Sequence, residues 1–454
     1  MKTFHAKILL CLFFLFSFKI AYSQSFINID RLVRIGLVSN GQHKNFKLEP
    51  SNGFIEIFDN KRKQAIYSGK ASSISVSVQK KNFFKIEIDG KKNFLNLQGE
   101  FLFSPVGKPP NFIELKPAGK KSKTYRGSIA IKSEGTKLFS INQIDIEDYL
   151  KSVVPSEIFN RAPAPALEAQ AIAARTYAVR NIERHKKKSD YHLCDTVHCQ
   201  AYTGMVRELK ATSAAVKATE GKILSYNNEP VNAVYHSNCG GILISSSAAW
   251  GGKTVPYLVS HLDGVKGQPT FCSIGKQLKK AKKGQTIKMP KPVKKLIVRS
   301  YPAKTRKKLH SNFGHRVGMC QDGAIGMGAI GYSYRQILGF YYPGTRLVTL
   351  NYARPTRKPG KAPATKPRKE KKQLPMVLAM KPDAPTNVRL AYPVNPTQIN
   401  AVKLSEKTSK PSAGTSVLGT LKAISNKGER QKTSLKKVFW NPAQPEIFRD
   451  TSTN

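Results

Sequence analysis

The sequence predicts an α+β fold on three observations. Short alternating apolar runs separated by Gly, Asn and Lys fill residues 24–140, the pattern of half-buried antiparallel strands. Helical and strand-like segments then alternate through residues 141–350 without the regular spacing of a parallel sheet. Residues 351–454 are rich in Lys, Pro, Ala, Thr and Ser, with 21 Lys+Arg against 6 Asp+Glu from Ala353 onward, a net of +15. A stretch of that composition buries too little apolar area to offset its ordering entropy, so a disordered basic C-terminal tail is expected.

The chain begins with a positive region at Lys2 and Lys7, an apolar run from Ile8 to Phe18, and small residues at Ala21 and Ser23. This is the layout of a removable secretory signal over residues 1–23. An uncleaved anchor is the competing reading, although the run is shorter than the roughly 20 residues that cross a bilayer. Export would leave five cysteines, Cys194, Cys199, Cys239, Cys272 and Cys320, an odd number that puts at least one outside any intrachain disulfide. It places the protein in the periplasm or on the wall side of the cytoplasmic membrane.

Strand-like runs follow at Leu32 to Val38, Ser73 to Val78 and Phe84 to Ile88. Pro165 through Arg184 reads as a helix, with Leu167, Ala171, Ala174, Ala178 and Ile182 at three- and four-residue steps and Pro near the start. A second helix is expected over Val206 to Glu220, stopped by Gly221. Lys222 to Tyr226 and Val231 to Tyr235 read as strands around an Asn227-Asn228-Glu229-Pro230 turn. Residues 274–308 look like a Lys-rich excursion, and residues 312–350 like a last compact stretch dense in Gly and aromatics.

Of the 454 residues, 76 are Lys or Arg and 28 Asp or Glu, a formal charge of +48. That excess predicts an anionic neighbour: nucleic acid, anionic lipid or acidic cell-wall polymer. Export argues against nucleic acid. The 40% apolar fraction excludes wholesale disorder.

Four blocks carry candidate chemistry. They are Tyr149-Leu150-Lys151-Ser152-Val153-Val154-Pro155-Ser156-Glu157; Glu168 through Ala178, containing Ala173-Ala174-Arg175-Thr176-Tyr177; Tyr235-His236-Ser237-Asn238-Cys239-Gly240-Gly241; and Gly314-His315-Arg316-Val317-Gly318-Met319 leading to Tyr341-Tyr342-Pro343-Gly344-Thr345. Glu157 follows Pro155 and Ser156, a pair that favours the start of a helical turn. One reading therefore puts its carboxylate at the positive end of a helix. The other makes it a general acid/base whose pKa is raised by burial. Arg175 suits either a paired-donor grip on a substrate oxygen or a salt bridge to Glu168 or Glu157. Tyr177 suits sugar stacking or core packing. His236 and Ser237 lack a nucleophile elbow, which makes serine hydrolysis a poor fit.

His192, Cys194, His198 and Cys199 are four soft ligands in eight residues. They fit either a tetrahedral zinc site or a local Cys194–Cys199 disulfide. Cys239 and Cys272 are a second candidate bridge, which would leave Cys320 over.

In order and spacing the four blocks, with Tyr125-Arg126-Gly127 upstream, resemble the SpoIID/LytB (stage II sporulation protein D) family from about Leu32 to Arg346. The resemblance implies a β-rich region packed on an α+β catalytic region to form a glycan groove. It implies lytic transglycosylase chemistry on peptidoglycan, used in division or sporulation-type remodelling, with Glu157 and Arg175 as the catalytic pair. It places His236, Ser237, Gly240, Gly241 and His315 along the groove, Gly240-Gly241 where backbone approaches the ligand, and a structural zinc in some members. It makes glycan strands the main partner, with amidase or divisome proteins as others. A second implication is a wall-binding or amidase-enhancing protein with no catalysis of its own. The chain departs from the usual Gly-His-Gly-Val-Gly-Met-Ser pattern at Arg316, which replaces Gly, and at Cys320, which replaces Ser.

Overall fold

The computed structural model describes residues 27–352 except 108, 110, 187–188, 282–288, 294–295, 297 and 299–307. The expected signal segment, the tail beyond Tyr352 and most of the Lys-rich stretch after Lys280 lie outside the described residues. What is described is mixed α+β, as the sequence pattern predicts.

Two sheets make the β-rich part, antiparallel throughout except where Leu193–Cys194 joins Leu32–Gly36 in parallel. A six-stranded sheet runs in the order Lys123–Arg126, Phe112–Pro117, Asn45–Pro50, Ile74–Lys80, Phe83–Ile88, Lys92–Leu97. A seven-stranded sheet runs Leu193–Cys194, Leu32–Gly36, Lys137–Asp145, Ser128–Glu134, Glu100–Pro105, Phe54–Asp59, Gln64–Lys70. Alternation sends Phe46, Leu48, Val76, Phe84 and Ile86 from the first sheet, and Ile35, Ile57, Phe101, Phe103 and Ile131 from the second, into one apolar core. Phe84 and Phe101 meet edge to face at 5.4 Å.

Seven helices follow among the described residues: α1 (Ile146–Glu157), α2 (Ala164–Arg180), α3 (Lys210–Ala218), α4 (Ser246–Trp250), α5 (Phe271–Lys280), α6 (Gln321–Ala329) and α7 (Tyr334–Tyr341). A four-stranded sheet, Ile27–Ile29, Arg346–Tyr352, Lys222–Tyr226 and Glu229–Pro230, packs beside α2. The core is continuous from the two large sheets into these helices. No helix among the described residues is long and apolar enough to cross a membrane.

Tyr125-Arg126-Gly127 joins the β-rich part to the helical part. Arg126 grips Glu208 with both arms, at 2.7 and 2.8 Å. Gly127, at φ +74°, lies so close to the 137–145 strand that a Cβ would stand 2.4 Å from the Gln143 carbonyl.

Three element boundaries differ from expectation. Helix α2 ends at Arg180, where the Asn181 side chain takes the Tyr177 carbonyl at 2.9 Å, and the chain turns away before Ile182. Helix α3 starts only at Lys210, because Glu208 is held by Arg126 and Val206 is exposed. Asn227 and Asn228, both at positive φ, make the expected tight turn. The segment after it is strand only at Tyr235–His236, since Ala233 and Val234 donate to carbonyls two residues back.

Candidate active site

Helix α1 is capped by Asp145, whose carboxylate accepts the Glu147 N–H at 2.8 Å, and it buries Tyr149, Leu150, Val153 and Val154. Glu157 is its last residue, and Ile158 is extended. This corrects the reading that put Glu157 at the positive end of a helix. The carboxyl sits at the negative end, where the helix dipole opposes ionisation.

Glu157 is half-buried, so its carboxyl is enclosed by protein and still reachable from solvent. Its Oε1 accepts the Ala201 N–H at 2.6 Å. Burial pushes its pKa up from 4.5 to about 7, and the Ala201 bond only partly opposes this. Among the described residues no Lys or Arg forms an ion pair with it, in a chain of 76 Lys+Arg. A carboxyl poised near neutrality is the form that can both give and take a proton.

Three tyrosines, Tyr149, Tyr177 and Tyr235, lie within electrostatic reach of that carboxyl. Gln200 fixes two of them: its Oε1 accepts from Tyr149 at 3.2 Å and its Nε2 donates to the Tyr235 oxygen at 2.9 Å. Tyr177, on α2, is 4% exposed, and its hydroxyl has no hydrogen-bond partner among the described residues. It packs in the core, with its polar tip left over near Glu157. Tyr149, Gln200 and Tyr235 were not singled out from sequence as site residues, although Tyr149 and Tyr235 open two of the motif blocks.

Arg175 is turned into the protein. Its side chain is fully buried and grips both oxygens of Glu147, Nε to Oε1 at 2.8 Å and Nη2 to Oε2 at 2.6 Å. It also donates to the carbonyls of Lys222 and Val216. The Glu147 Oε1 further accepts from the Tyr352 hydroxyl and, at 3.2 Å, the Gly221 N–H. With its donors spent inside the protein, Arg175 presents none to a ligand in this conformation. The salt bridge weighed from sequence exists, but to Glu147 rather than Glu168 or Glu157.

The His236 and His315 rings lie 5.2 Å apart at a 60° tilt, and the Trp250 ring of α4 lies 5.3 Å from His315 at 56°. Burial lowers the pKa of His315 to about 4 and that of His236 well below its usual value, so both rings are neutral near pH 7. His315 donates from Nε2 to the Tyr235 carbonyl at 3.0 Å and accepts the Val317 N–H at Nδ1. His236 Nδ1 donates to the Val317 carbonyl, and its Nε2 has no partner among the described residues. Ser237 is half-buried, and its carbonyl accepts the Asp322 N–H at 3.0 Å. Trp250 carried no sequence signal as a site residue.

Gly240 and Gly241 are required by the protein's own packing. Both have positive φ, and added Cβ atoms would stand 2.6 Å from the His310 carbonyl and 3.0 Å from the Leu309 side chain. The close approach expected there is to the returning 308–310 segment. Arg316 occupies φ +65°, a left-handed position that explains a Gly in the family pattern. Its guanidinium offsets the strain by donating to the Cys239 and Ile242 carbonyls, at 2.9 and 2.7 Å.

All five described cysteines are free thiols. His185, Cys194, His198 and Cys199 bring their donor atoms within 4.8 Å of one another. His185 Nε2 stands 3.2 Å from Cys199 Sγ, and His198 Nδ1 stands 3.5 and 3.6 Å from the two sulfurs. A tetrahedral zinc with typical bond lengths has S···N edges of about 3.5 Å, so this donor set fits the ion. His192 is not in it. Its Nδ1 accepts the Arg34 N–H at 3.2 Å at the sheet edge, and His185, freed by the early end of α2, takes its place. The loop after the cluster delivers Gln200 and the Ala201 N–H to the active site. Two cavities of about 260 and 380 Å³ beside the 346–352 strand are lined neither by Glu157 nor by the residues around it.

The family described as "Stage II sporulation protein" (SpoIID) matches residues 134–226, a span that holds Glu157, Arg175 and the His185 cluster. An uncharacterised protein of Brachyspira hyodysenteriae is 28% identical over 275 residues, covering 50% of this chain and 73% of its own length. Stage II sporulation protein D of Bacillus subtilis is 30% identical over 289 residues, 52% of this chain and 84% of that protein. The amidase enhancer of Bacillus subtilis is 36% identical over 114 residues, 25% of this chain and 15% of that protein. The chain belongs to the stage II sporulation protein D (SpoIID) family.

Proposed function

We propose that the protein is an exported lytic transglycosylase acting on peptidoglycan, on the periplasmic or wall side of the cytoplasmic membrane. The observation that carries this reading is Glu157: one reachable carboxyl, without a cationic partner among the described residues, with its pKa raised by burial to about 7. Among the described residues no second carboxylate is bonded to it, which suits a one-acid mechanism. Protonated Glu157 gives its proton to the oxygen linking N-acetylmuramic acid to N-acetylglucosamine, and that C–O bond breaks. The resulting carboxylate then takes the proton of the muramic acid C6 hydroxyl as O6 bonds to C1. The product is a 1,6-anhydro end, no water is consumed, and Glu157 is again protonated. Arg175 serves as a positioning residue, fixing α1 through Glu147. The ring surface of Trp250 and His315 suits a sugar face.

The same reading assigns zinc to His185, Cys194, His198 and Cys199, where all four positions are filled by protein and the ion braces the loop carrying Ala201. Glycan strands, anionic through their lactyl carboxylates, fit the +48 chain, and amidase or divisome proteins are the expected protein partners. The test is digestion of purified glycan strands followed by mass spectrometry: anhydro-muramic ends from the wild type and none from Glu157→Gln support it. The second reading, an amidase enhancer without catalysis, is favoured by the absence of Arg175 from the accessible site. It predicts wall binding with no anhydro product.

A further inference from the structure

A second cluster of metal-ligating side chains lies apart from the His185 group. The Sγ atoms of Cys239, Cys272 and Cys320 and a carboxylate oxygen of Asp263 lie within 4.8 Å of one another, all buried. They come from four segments distant in sequence: the Gly240-Gly241 loop, the 261–262 strand end, the first turn of α5 and the N-cap of α6. Cys239 Sγ is 3.5 Å from Cys272 Sγ and 3.2 Å from Asp263 Oδ2. A tetrahedral zinc ion with typical bond lengths sets S···S and S···O edges of about 3.8 and 3.6 Å, so these two edges lie within a few tenths of an ångström of a zinc site and the remaining pairs lie within 4.8 Å.

The surroundings favour thiolates and hold the carboxylate still. Cys272 and Cys320 stand at helix N-termini, where the dipole stabilises a negative sulfur. Cys320 Sγ accepts the N–H groups of Cys239 and Gly323, at 3.3 and 3.4 Å. Asp263 is oriented by the Tyr341 hydroxyl at 2.6 Å and the Cys272 N–H at 2.9 Å, the kind of outer support that ligating carboxylates receive. Gly323 is obligatory beneath it, since a Cβ there would meet the Tyr341 hydroxyl at 1.9 Å. No Lys or Arg forms an ion pair with Asp263 among the described residues, so the buried acid lacks a countercharge. Cys320 is also where the chain departs from the family pattern, and that departure supplies the third sulfur.

We propose that Cys239, Asp263, Cys272 and Cys320 bind a structural zinc ion, separate from the His185 group. With four protein ligands the ion has no open position. It pins the His236 to Gly241 loop to α5 and α6 and protects three thiols from oxidation outside the cytoplasm.

The test is metal analysis of the full-length protein, purified without chelator, with Cys320→Ser and Cys199→Ser variants alongside. Cys320→Ser restores the residue of the family pattern, so its fold is expected to persist. The expected result is two zinc ions in the wild type, one for each cluster, and a loss of one in Cys320→Ser, with a further loss when Cys199→Ser is added. An unchanged zinc content in Cys320→Ser would overturn the proposal. Peptide mapping under non-reducing conditions reads the wild type directly: free Cys239, Cys272 and Cys320 after zinc is stripped support it, and a Cys239–Cys272 disulfide overturns it.

Discussion

Arg175 holds Glu147 with two charge-assisted bonds inside the protein, and Glu147 stands on the same helix as Glu157, near its opposite end. The pair ties α1 to α2, to the 222–226 strand through the Lys222 carbonyl, and to the 346–352 strand through Tyr352. Arg175 is thereby a structural tie between α1 and α2.

Removing one partner of this pair leaves a buried charge uncompensated, at a cost of about 3–5 kcal/mol. Arg175→Ala is therefore expected to unfold at markedly lower denaturant. The double variant Arg175→Met/Glu147→Leu is expected to recover much of that loss, because no lone charge remains. Equilibrium denaturation checks both. Activity in surviving folded Arg175→Ala protein should keep the wild-type pH profile, since the acid itself is untouched.

Glu157 binds its proton more tightly folded than unfolded, because burial raises its pKa from 4.5 to about 7. Its contribution to stability is complete below pH 4.5 and is lost as pH rises toward 7. Glu157→Gln removes the titration. The variant should be more stable than the wild type above pH 7, with the difference shrinking as pH falls. Parallel pH-dependent thermal melts measure this; identical curves would contradict the raised pKa.

Zinc removal is expected to lower thermal stability and activity together, because the ion's loop supplies both the Ala201 N–H that Glu157 accepts and the Gln200 that fixes Tyr149 and Tyr235. Cys199→Ser should reproduce the part of the chelator's effect that falls on the His185 cluster, and added zinc should rescue only the chelated wild type. Glu157 would titrate differently in the variant, visible as a displaced pH–activity profile.

Trp250→Ala should weaken binding of glycan strands by about 3–10-fold, the scale of one lost aromatic contact. Anhydro ends should still form at saturating substrate. Isothermal titration with non-cleavable oligosaccharide, using Glu157→Gln as background, isolates this effect.

The strands and the existence of α2 were legible because they rest on local alternation and helical spacing. The placement of Glu157 was legible only as a motif; its position at the end of α1 depends on how Asp145 starts that helix. Glu147 escaped notice because its partner lies on another helix, and no local rule joins residues that tertiary packing brings together. His192 was chosen over His185 by proximity in sequence, yet strand pairing with Arg34 turns it away while the end of α2 brings His185 in. The Gly240-Gly241 pair is expected from sequence where backbone approaches a ligand; the group that approaches in the structure is the chain's own 308–310 segment, which no local pattern announces.

The central claim is that Glu157 alone closes the sugar's own C6 oxygen onto C1, with water excluded from the products. Digestion of glycan strands in heavy-oxygen water tests it most directly. New muramic ends are expected in the anhydro form with no heavy oxygen, and none in Glu157→Gln. Muramic ends carrying the label, or anhydro ends that persist in Glu157→Gln, would contradict it.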